Sequence, residues 1–507
     1  MRTAGAIPSP DVLIIGSGIG GATIAASLAP TGARIVILER GERMAPAQHD
    51  RSTRAIFREG VFRPKEFWLD GEGRTFNPGN YYYVGGNSKF YGAVLTRYRR
   101  EDFAEMELDG GVSPAWPFPY EELEPWYGRA EALYGVRGAA GEDPTEPPRS
   151  TPYAHPPVPD EAEIAEIRGR LRKQGLHPYS LPLGVDLPAW LAGGSTPWDA
   201  FPNSAGGKMD AETAALAVAL AHPNVTLVTG AKVERLETAP DGKRVEAVHV
   251  ERGGVAEIVR AGLVILSAGA INSAALLLRS VDARNPAGLA NRSDQVGRNF
   301  MNHNATAMIA FDPRRRHGLV YQKTIGMNDF YLGDGRGGRP LGNVQMLGKI
   351  DGHVLKANMA LAPFAALDWI AKRSTDWYLM SEDLPDPESR VTLKNGGIVL
   401  NWRRSNMAAH EKLVARMRGV LRSIGYPVVL HRTFDRRTPS HQCGTVRMGT
   451  DPAAAPLDTF CRTFDHPNLF VVDASFLPTS AAVNPALTVA AQALRVGAHI
   501  ASRDLAA

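Results

Sequence analysis

The stretch DVLIIGSGIGGATIAASLAPTGARIVILER, residues 11–40, decides the fold. Asp11 to Ile15 is a short apolar run of the kind that forms a buried parallel strand. GSGIGG follows, and ATIAASLA then carries apolar residues at helical spacing up to Pro30. A turn at Thr31-Gly32 leads into a second apolar strand, Arg34 to Leu38, which ends in Glu39-Arg40. Strand, glycine turn, helix and strand make a βαβ unit. Gly16, Gly18 and Gly21 fit G-x-G-x-x-G in the place where a dinucleotide site needs it. Gly16 permits the tight turn, and Gly18 lets a pyrophosphate approach the backbone at the positive end of the helix dipole. Gly21 lets helix and strand pack closely. Glu39, at the end of the second strand, is placed to accept hydrogen bonds from an adenosine ribose, and Arg40 beside it is a further candidate contact. An acid here disfavours NADP but does not separate FAD from NAD.

Outward from this unit the chain changes character several times. Residues 45–80 are polar, aromatic and poor in pattern, as an excursion over a site is. The run YYYVGGNSKFYGAVLTRYR at 81–99 reads as a glycine turn entering a helix. Residues 110–160 are rich in Pro, Trp and Tyr, with an amphipathic helix near 120–134. Regular elements return between 210 and 300, ending in strand, turn and helix at 263–280. Residues 305–400 alternate apolar and polar positions without long helices, which predicts a separate antiparallel sheet with strands at Ala307–Phe311, Gly342–Leu347 and Arg390–Leu393. Helices follow at 407–424 and from Pro485 to Ala501.

Composition narrows the function. The 507 residues carry 57 basic and 53 acidic side chains, a formal net charge of +4. Near-balance in a chain this large, with no basic arm, speaks against nucleic-acid binding; Arg314-Arg315-Arg316 reads as a solvated loop. Two cysteines, Cys443 and Cys461, cannot make a disulfide framework. MRTAGAIPSP at the N-terminus lacks a hydrophobic targeting core, so cytoplasmic residence is expected. The longest apolar stretch, 263–278, is too short and too broken to span a bilayer. No CxxCH motif is present, which excludes an attached c-type cytochrome module of that kind.

Four further segments, in order, give the chain a resemblance to the glucose–methanol–choline (GMC) family of FAD-dependent oxidoreductases. VGGNSKFYGA at 84–93 is similar to the family's first signature, and SAGAINSAALLLRS at 267–280 to its second. VGRNFMNH at 296–303 resembles the turn that follows. HQCGTVRMGTDP at 441–452 and NLFVVDASFLPTSAAVNPALTVAAQAL at 468–494 together resemble the C-terminal catalytic block. The resemblance implies an α/β fold with a Rossmann-like FAD-binding domain built from discontinuous segments. A substrate domain is inserted in it, with a mainly antiparallel sheet and flanking helices. The boundaries expected are 1–304, with excursions near 45–80 and 110–205, then 305–434 for the substrate domain and 435–507 for the return. It also implies that Gly85, Gly86 and Asn87 pass beside the flavin diphosphate and ring. Val233 then offers its backbone to the adenine, Asp473 lies near the pyrophosphate or ribityl chain, and Thr488 near the isoalloxazine. Some family members attach FAD through a histidine in the first signature; this chain has none between 84 and 100, so FAD is expected to be non-covalent. No metal is expected.

His441 opens HxxGTxRMG, which resembles the segment that carries the family's catalytic histidine, and Asn484 takes the place of its His-or-Asn partner. An imidazole suits removal of a hydroxyl proton near neutrality. An asparagine amide can hydrogen-bond the substrate oxygen, although it also suits a helix N-cap before Pro485. The implied reaction is oxidation of an alcohol, with hydride passing to flavin N5. Asn484 and the pattern GGNSKFYGA…SPAWPFPYEELEPWY resemble the family's bacterial carbohydrate-acting branch, so a sugar or glycoside is the expected substrate. A non-sugar aliphatic or aryl alcohol is the alternative, and a hydroxynitrile-type lyase on the same scaffold a further one. Either oxygen or a separate acceptor would take the electrons. Cys443 and His303 read as structural residues, and Trp377 and Tyr378 as core.

Overall fold

The computed structural model describes residues 7–46, 51–192, 199–204, 206–333, 338–438 and 441–506. Residues 1–6, 47–50, 193–198 and 205, which carry parts of the N-terminal reading and of the two excursions, lie outside it.

Val12–Ile15 is the central strand of a five-stranded parallel sheet in the order Leu469–Val471, Leu263–Leu266, Val12–Ile15, Ile35–Leu38, Val225–Val228. Every residue of the first four strands is buried, which is why they read as unbroken apolar runs. The chain builds outward from Val12–Ile15 first to one side and later to the other. A crevice therefore opens at that strand's carboxyl end, where α/β sheets bind ligands. Gly16 stands there with φ +103°, and a Cβ on it would lie 2.2 Å from the Ser267 carbonyl oxygen, so only glycine can make this turn. The helix Ile19–Leu28 follows, and the C-terminal helix Ala486–Arg503 packs against it.

A second sheet of six antiparallel strands runs in the order Val428–Thr433, Asn304–Phe311, Ser374–Ser381, Asn343–Met346, Ile325–Met327, Tyr179–Ser180. Its alternating positions divide cleanly between two faces. Met308, Val344, Met346, Trp377 and Leu379 pack under the helices Ala162–Lys173 and Met407–Ser423. Ala307, Ile309, Gln345 and Tyr378 face the other way, into a cavity. The runs at 307–311 and 342–347 thus belong to this sheet. The run at 390–393 does not: Arg390–Lys394 turns at Asn395-Gly396, both left-handed, and pairs with Gly397–Asn401, which lies beside Trp68–Asp70 in another sheet. Two left-handed residues in sequence make the tight hairpin that folds a strand onto its own successor. The 81–99 stretch enters only a short 3-10 turn, Gly86–Phe90. No helix among the described residues is long and apolar enough to cross a membrane.

Candidate active site

A cavity of about 1060 Å³ runs from the glycine turn to the inner face of the antiparallel sheet. Gly16, Gly18, Glu39, Arg40 and Val233 line it, as do Gly85, Gly86 and Asn87. Gly18 begins the helix Ile19–Leu28, whose first turn holds no acidic side chain. A Cβ on Gly18 would meet no protein atom within 4 Å, and one on Gly86 would meet only the Gly18 Cα, at 3.6 Å. Bare backbone at a positive helix end is what a diphosphate requires. Glu39 is 6% exposed. Its Oε2 accepts from the Ser17 N–H (3.1 Å) and hydroxyl (2.7 Å), and its Oε1 from Gly41 N–H at 2.8 Å. Oε1 keeps a lone pair for a ribose hydroxyl. The Arg40 guanidinium lies 3.7 Å from the Tyr82 ring centre. These residues fit the adenosine diphosphate half of FAD.

Asp473, also in the cavity wall, is committed to the protein. It accepts from Gly269 N–H (2.9 Å), the Ser273 hydroxyl (2.5 Å) and the N–H and hydroxyl of Ser475 (2.8 and 2.5 Å). It thereby fixes the start of the helix Ala270–Arg279 against the C-terminal block. Burial raises its carboxyl, against the lowering pull of those bonds. Two of the sequence candidates do not line the cavity. Gly21 packs on the turn, where a Cβ would lie 2.0 Å from the Gly16 carbonyl oxygen. Thr488 is fully buried and shares a 2.8 Å hydrogen bond with Tyr127. Lys89, in the first signature, forms ion pairs with Asp210 (3.1 Å) and Glu212.

His441 and Asn484 stand together in the cavity wall, with Asn484 Nδ2 3.2 Å from His441 Nε2. His441 holds a left-handed backbone, φ +68°, which a non-glycine residue adopts only when its surroundings impose it. Here Cys443 and Met301 exchange backbone hydrogen bonds of 2.9 and 3.0 Å, while Gly444, Val446 and Met448 donate to residues 474–476. The segment is thus held from both sides. Burial, and behind it His303 and Lys323, keeps the His441 ring well below the ordinary imidazole range, so it is neutral at pH 7.

The antiparallel sheet and the segments beside it bring in Gln345 and Lys323, which the sequence did not single out, and change the reading of His303 and Tyr378, expected to be structural and core. Gln345 Nε2 donates to Asn484 Oδ1 at 3.3 Å. Lys323, almost fully buried, is ion-paired with Asp199 in the same wall. His303 is also part of the site: its Nδ1 lies 2.7 Å from His441 Nδ1, and the two rings meet edge to face. Tyr378 lines the cavity while Trp377, its strand neighbour, points into the core. Cys443 is 1% exposed and burial raises its thiol well above the ordinary range, so packing is its role. Among the described residues no cluster of side chains could hold a metal ion.

Residues 11–296 match the family described as FAD dependent oxidoreductase, and residues 398–493 match the C-terminal family described as GMC oxidoreductase. Among characterised proteins, the chain is 29% identical to paromamine 6'-oxidase of Streptomyces fradiae, over 97% of this chain and 91% of that one. It is 28% identical to 2-methyl-1,2-propanediol dehydrogenase of Mycolicibacterium austroafricanum, over 97% and 95%. The crystal structure of pyridoxine 4-oxidase from Mesorbium loti superposes with a TM-score of 0.67 at 19% identity, covering 96% of this chain and 98% of that one, a likeness of fold.

Proposed function

This chain belongs to the FAD-dependent oxidoreductases and carries the GMC C-terminal module, and from that premise we propose that it oxidises a hydroxyl of a sugar or glycoside to a carbonyl, with His441 and Asn484 as the catalytic residues. FAD, when bound, supplies the two-electron acceptor that no side chain provides. His441 Nε2 takes the hydroxyl proton, and the Asn484 amide donates to the same oxygen as its charge grows. The observation that carries this reading is their 3.2 Å approach in the wall of a cavity continuous with the glycine cradle. Desolvation of the ring in the cavity wall keeps His441 neutral, ready to accept. The Lys323–Asp199 pair and the Tyr378 ring offer the mixture of polar groups and a flat apolar face that a sugar ring uses.

Support for a carbohydrate comes from the names of relatives, paromamine 6'-oxidase and the fructose dehydrogenase large subunit of Gluconobacter japonicus. The propanediol dehydrogenase and a pyridoxine 4-oxidase of Microbacterium luteolum favour a second reading, a non-sugar alcohol. The test is anaerobic flavin bleaching by D-glucose, a methyl glucoside, paromamine, propane-1,2-diol and benzyl alcohol. Reoxidation by air or by a dye then identifies the acceptor. A carbohydrate should bleach fastest, and bleaching by none of the five would defeat the reading. His441→Ala should lower the rate of reduction about 10²–10⁴-fold at saturating substrate. A rate within about threefold of wild type would remove His441 from its role.

A further inference from the structure

The hydrogen bonds around His441 form one continuous chain that can be oriented in only one way. It starts at the Ser480 carbonyl oxygen, 2.9 Å from His303 Nε2. A carbonyl only accepts, so His303 Nε2 carries the hydrogen. His303 is 2% exposed, and burial lowers its ring to about 4, so near neutrality its other nitrogen, Nδ1, is a bare acceptor. At 2.7 Å from it, His441 Nδ1 must therefore be the donor. His441 Nε2 is then left as a lone pair. Asn484 presents Nδ2 to it at 3.2 Å, which turns the amide oxygen to the far side, where Gln345 Nε2 donates at 3.3 Å. Reversing any single link sets donor against donor or acceptor against acceptor. The far end is Gln345 Oε1, which has no partner among the described residues. An unpaired buried acceptor is costly, and the amide is held in that orientation by its bond to Asn484.

We propose that His303 and Gln345 are positioning residues that set the polarity of the catalytic pair from opposite sides. His303 keeps His441 in the tautomer with Nε2 bare. Gln345 keeps Asn484 with its N–H, not its oxygen, facing the reacting hydroxyl. The proposal rests on the catalytic reading of His441 and Asn484 given above. Lys323, the charge that acts on His441, is tied to Asp199 and leaves this polarity unchanged. Neither residue touches the reacting atoms, so each acts through its neighbour.

The test is anaerobic stopped-flow reduction of the holoenzyme, from pH 5 to 9, with whichever of the five compounds above bleaches it fastest. Gln345→Glu is nearly isosteric and puts a titrating donor at the end of the chain. A protonated carboxyl can donate to Asn484 Oδ1 as the amide does; an ionised one can only accept and turns the Asn484 amide over. Its reduction rate should approach wild type at low pH and fall at least tenfold as the carboxyl ionises. Gln345→Met should be slowed by one constant factor at every pH. His303→Phe should lower the rate about a hundredfold with flavin content retained, and His303→Gln, whose oxygen can accept from His441 Nδ1, should recover part of it. A Gln345→Glu profile parallel to wild type, or a His303→Phe rate within about twofold of it, overturns the proposal. If His303→Phe does not fold, the Gln345→Glu profile decides alone. His441→Ala measured alongside separates the two readings. An inactive His441→Ala beside a flat Gln345→Glu profile defeats the positioning chain only, and an active one defeats the catalytic assignment beneath it.

Discussion

Replacing Gly18 by alanine separates what the fold needs from what the cofactor needs. Gly18 has φ −67° and ψ −171°, extended backbone that alanine adopts without strain. A methyl group there meets no protein atom within 4 Å. The chain by itself gains from the change, because alanine restricts the unfolded state by about 0.4–1 kcal/mol more than glycine. The same methyl stands in the cavity wall at the helix N-terminus, where a diphosphate must reach the backbone N–H groups. A loss of about 10- to 100-fold in FAD affinity, roughly 1.4–2.7 kcal/mol, is expected. Gly20 is the control. It lies two residues on in the same cavity wall, yet its Cβ would stand 1.9 Å from the Val472 carbonyl oxygen, backbone that cannot move aside. Gly20→Ala should cost upwards of about 3 kcal/mol of folding stability. Thermal unfolding at rising free FAD reads both quantities, the ligand-free value giving the stability of the chain and the concentration at which stabilisation sets in giving the affinity. Gly18→Ala should match or exceed wild type in the ligand-free value and respond to FAD only at higher concentration. An unchanged response to FAD, or a lowered ligand-free value, would refute the claim that the space above Gly18 is kept for the cofactor.

Two further outcomes follow from buried groups. The cavity wall around residues 84–94 holds no histidine or cysteine, and Tyr91 there is kept protonated by burial, so nothing in it suits a bond to the flavin. Acid precipitation should release all the FAD into the supernatant, and a pellet that stays yellow would contradict this. Glu382 is 4% exposed, accepts from the Ser113 hydroxyl at 2.6 Å, and has its carboxyl pushed up to about 8 by burial, with Asp102 and Asp383 adding to the effect. Its folded value lies above its unfolded one near 4.5. Its contribution to stability is thus fully present below pH 4.5 and lost as pH rises towards 8, by on the order of 4 kcal/mol. Glu382→Gln does not titrate, so its melting temperature relative to wild type should climb between pH 5 and 9. A constant difference across that range would show that Glu382 ionises freely.

The parts of this molecule legible in its sequence are those where cause and consequence lie within a few residues. Gly16, the apolar runs beside it and the acid at 39 are one local unit, and the parallel sheet follows from them. The turn at Asn395-Gly396 is equally local. An Asn-Gly pair between short apolar runs is the signal of a tight hairpin, and it pairs 390–393 with its own successor rather than with the antiparallel sheet. His441 and Asn484 are 43 residues apart and become visible as a pair only through a resemblance, because no spacing rule joins them. Gln345 has no such help. It reaches Asn484, 139 residues on, because the strand Asn343–Met346 pairs with Ser374–Ser381 and sets Gln345 opposite Tyr378. Pairing partners of that kind are written in no local pattern. One signal is nevertheless present in Asn343-Val344-Gln345-Met346, whose alternation has the form of a strand with one face to water. All four residues are buried. A polar face that the fold then buries must find its partners in protein or in a ligand, and at Gln345 half of the amide has found Asn484 while the other half has found none. Polar alternation inside an otherwise apolar domain is therefore as good a pointer to a ligand cavity as to the surface, and burial is what distinguishes the two.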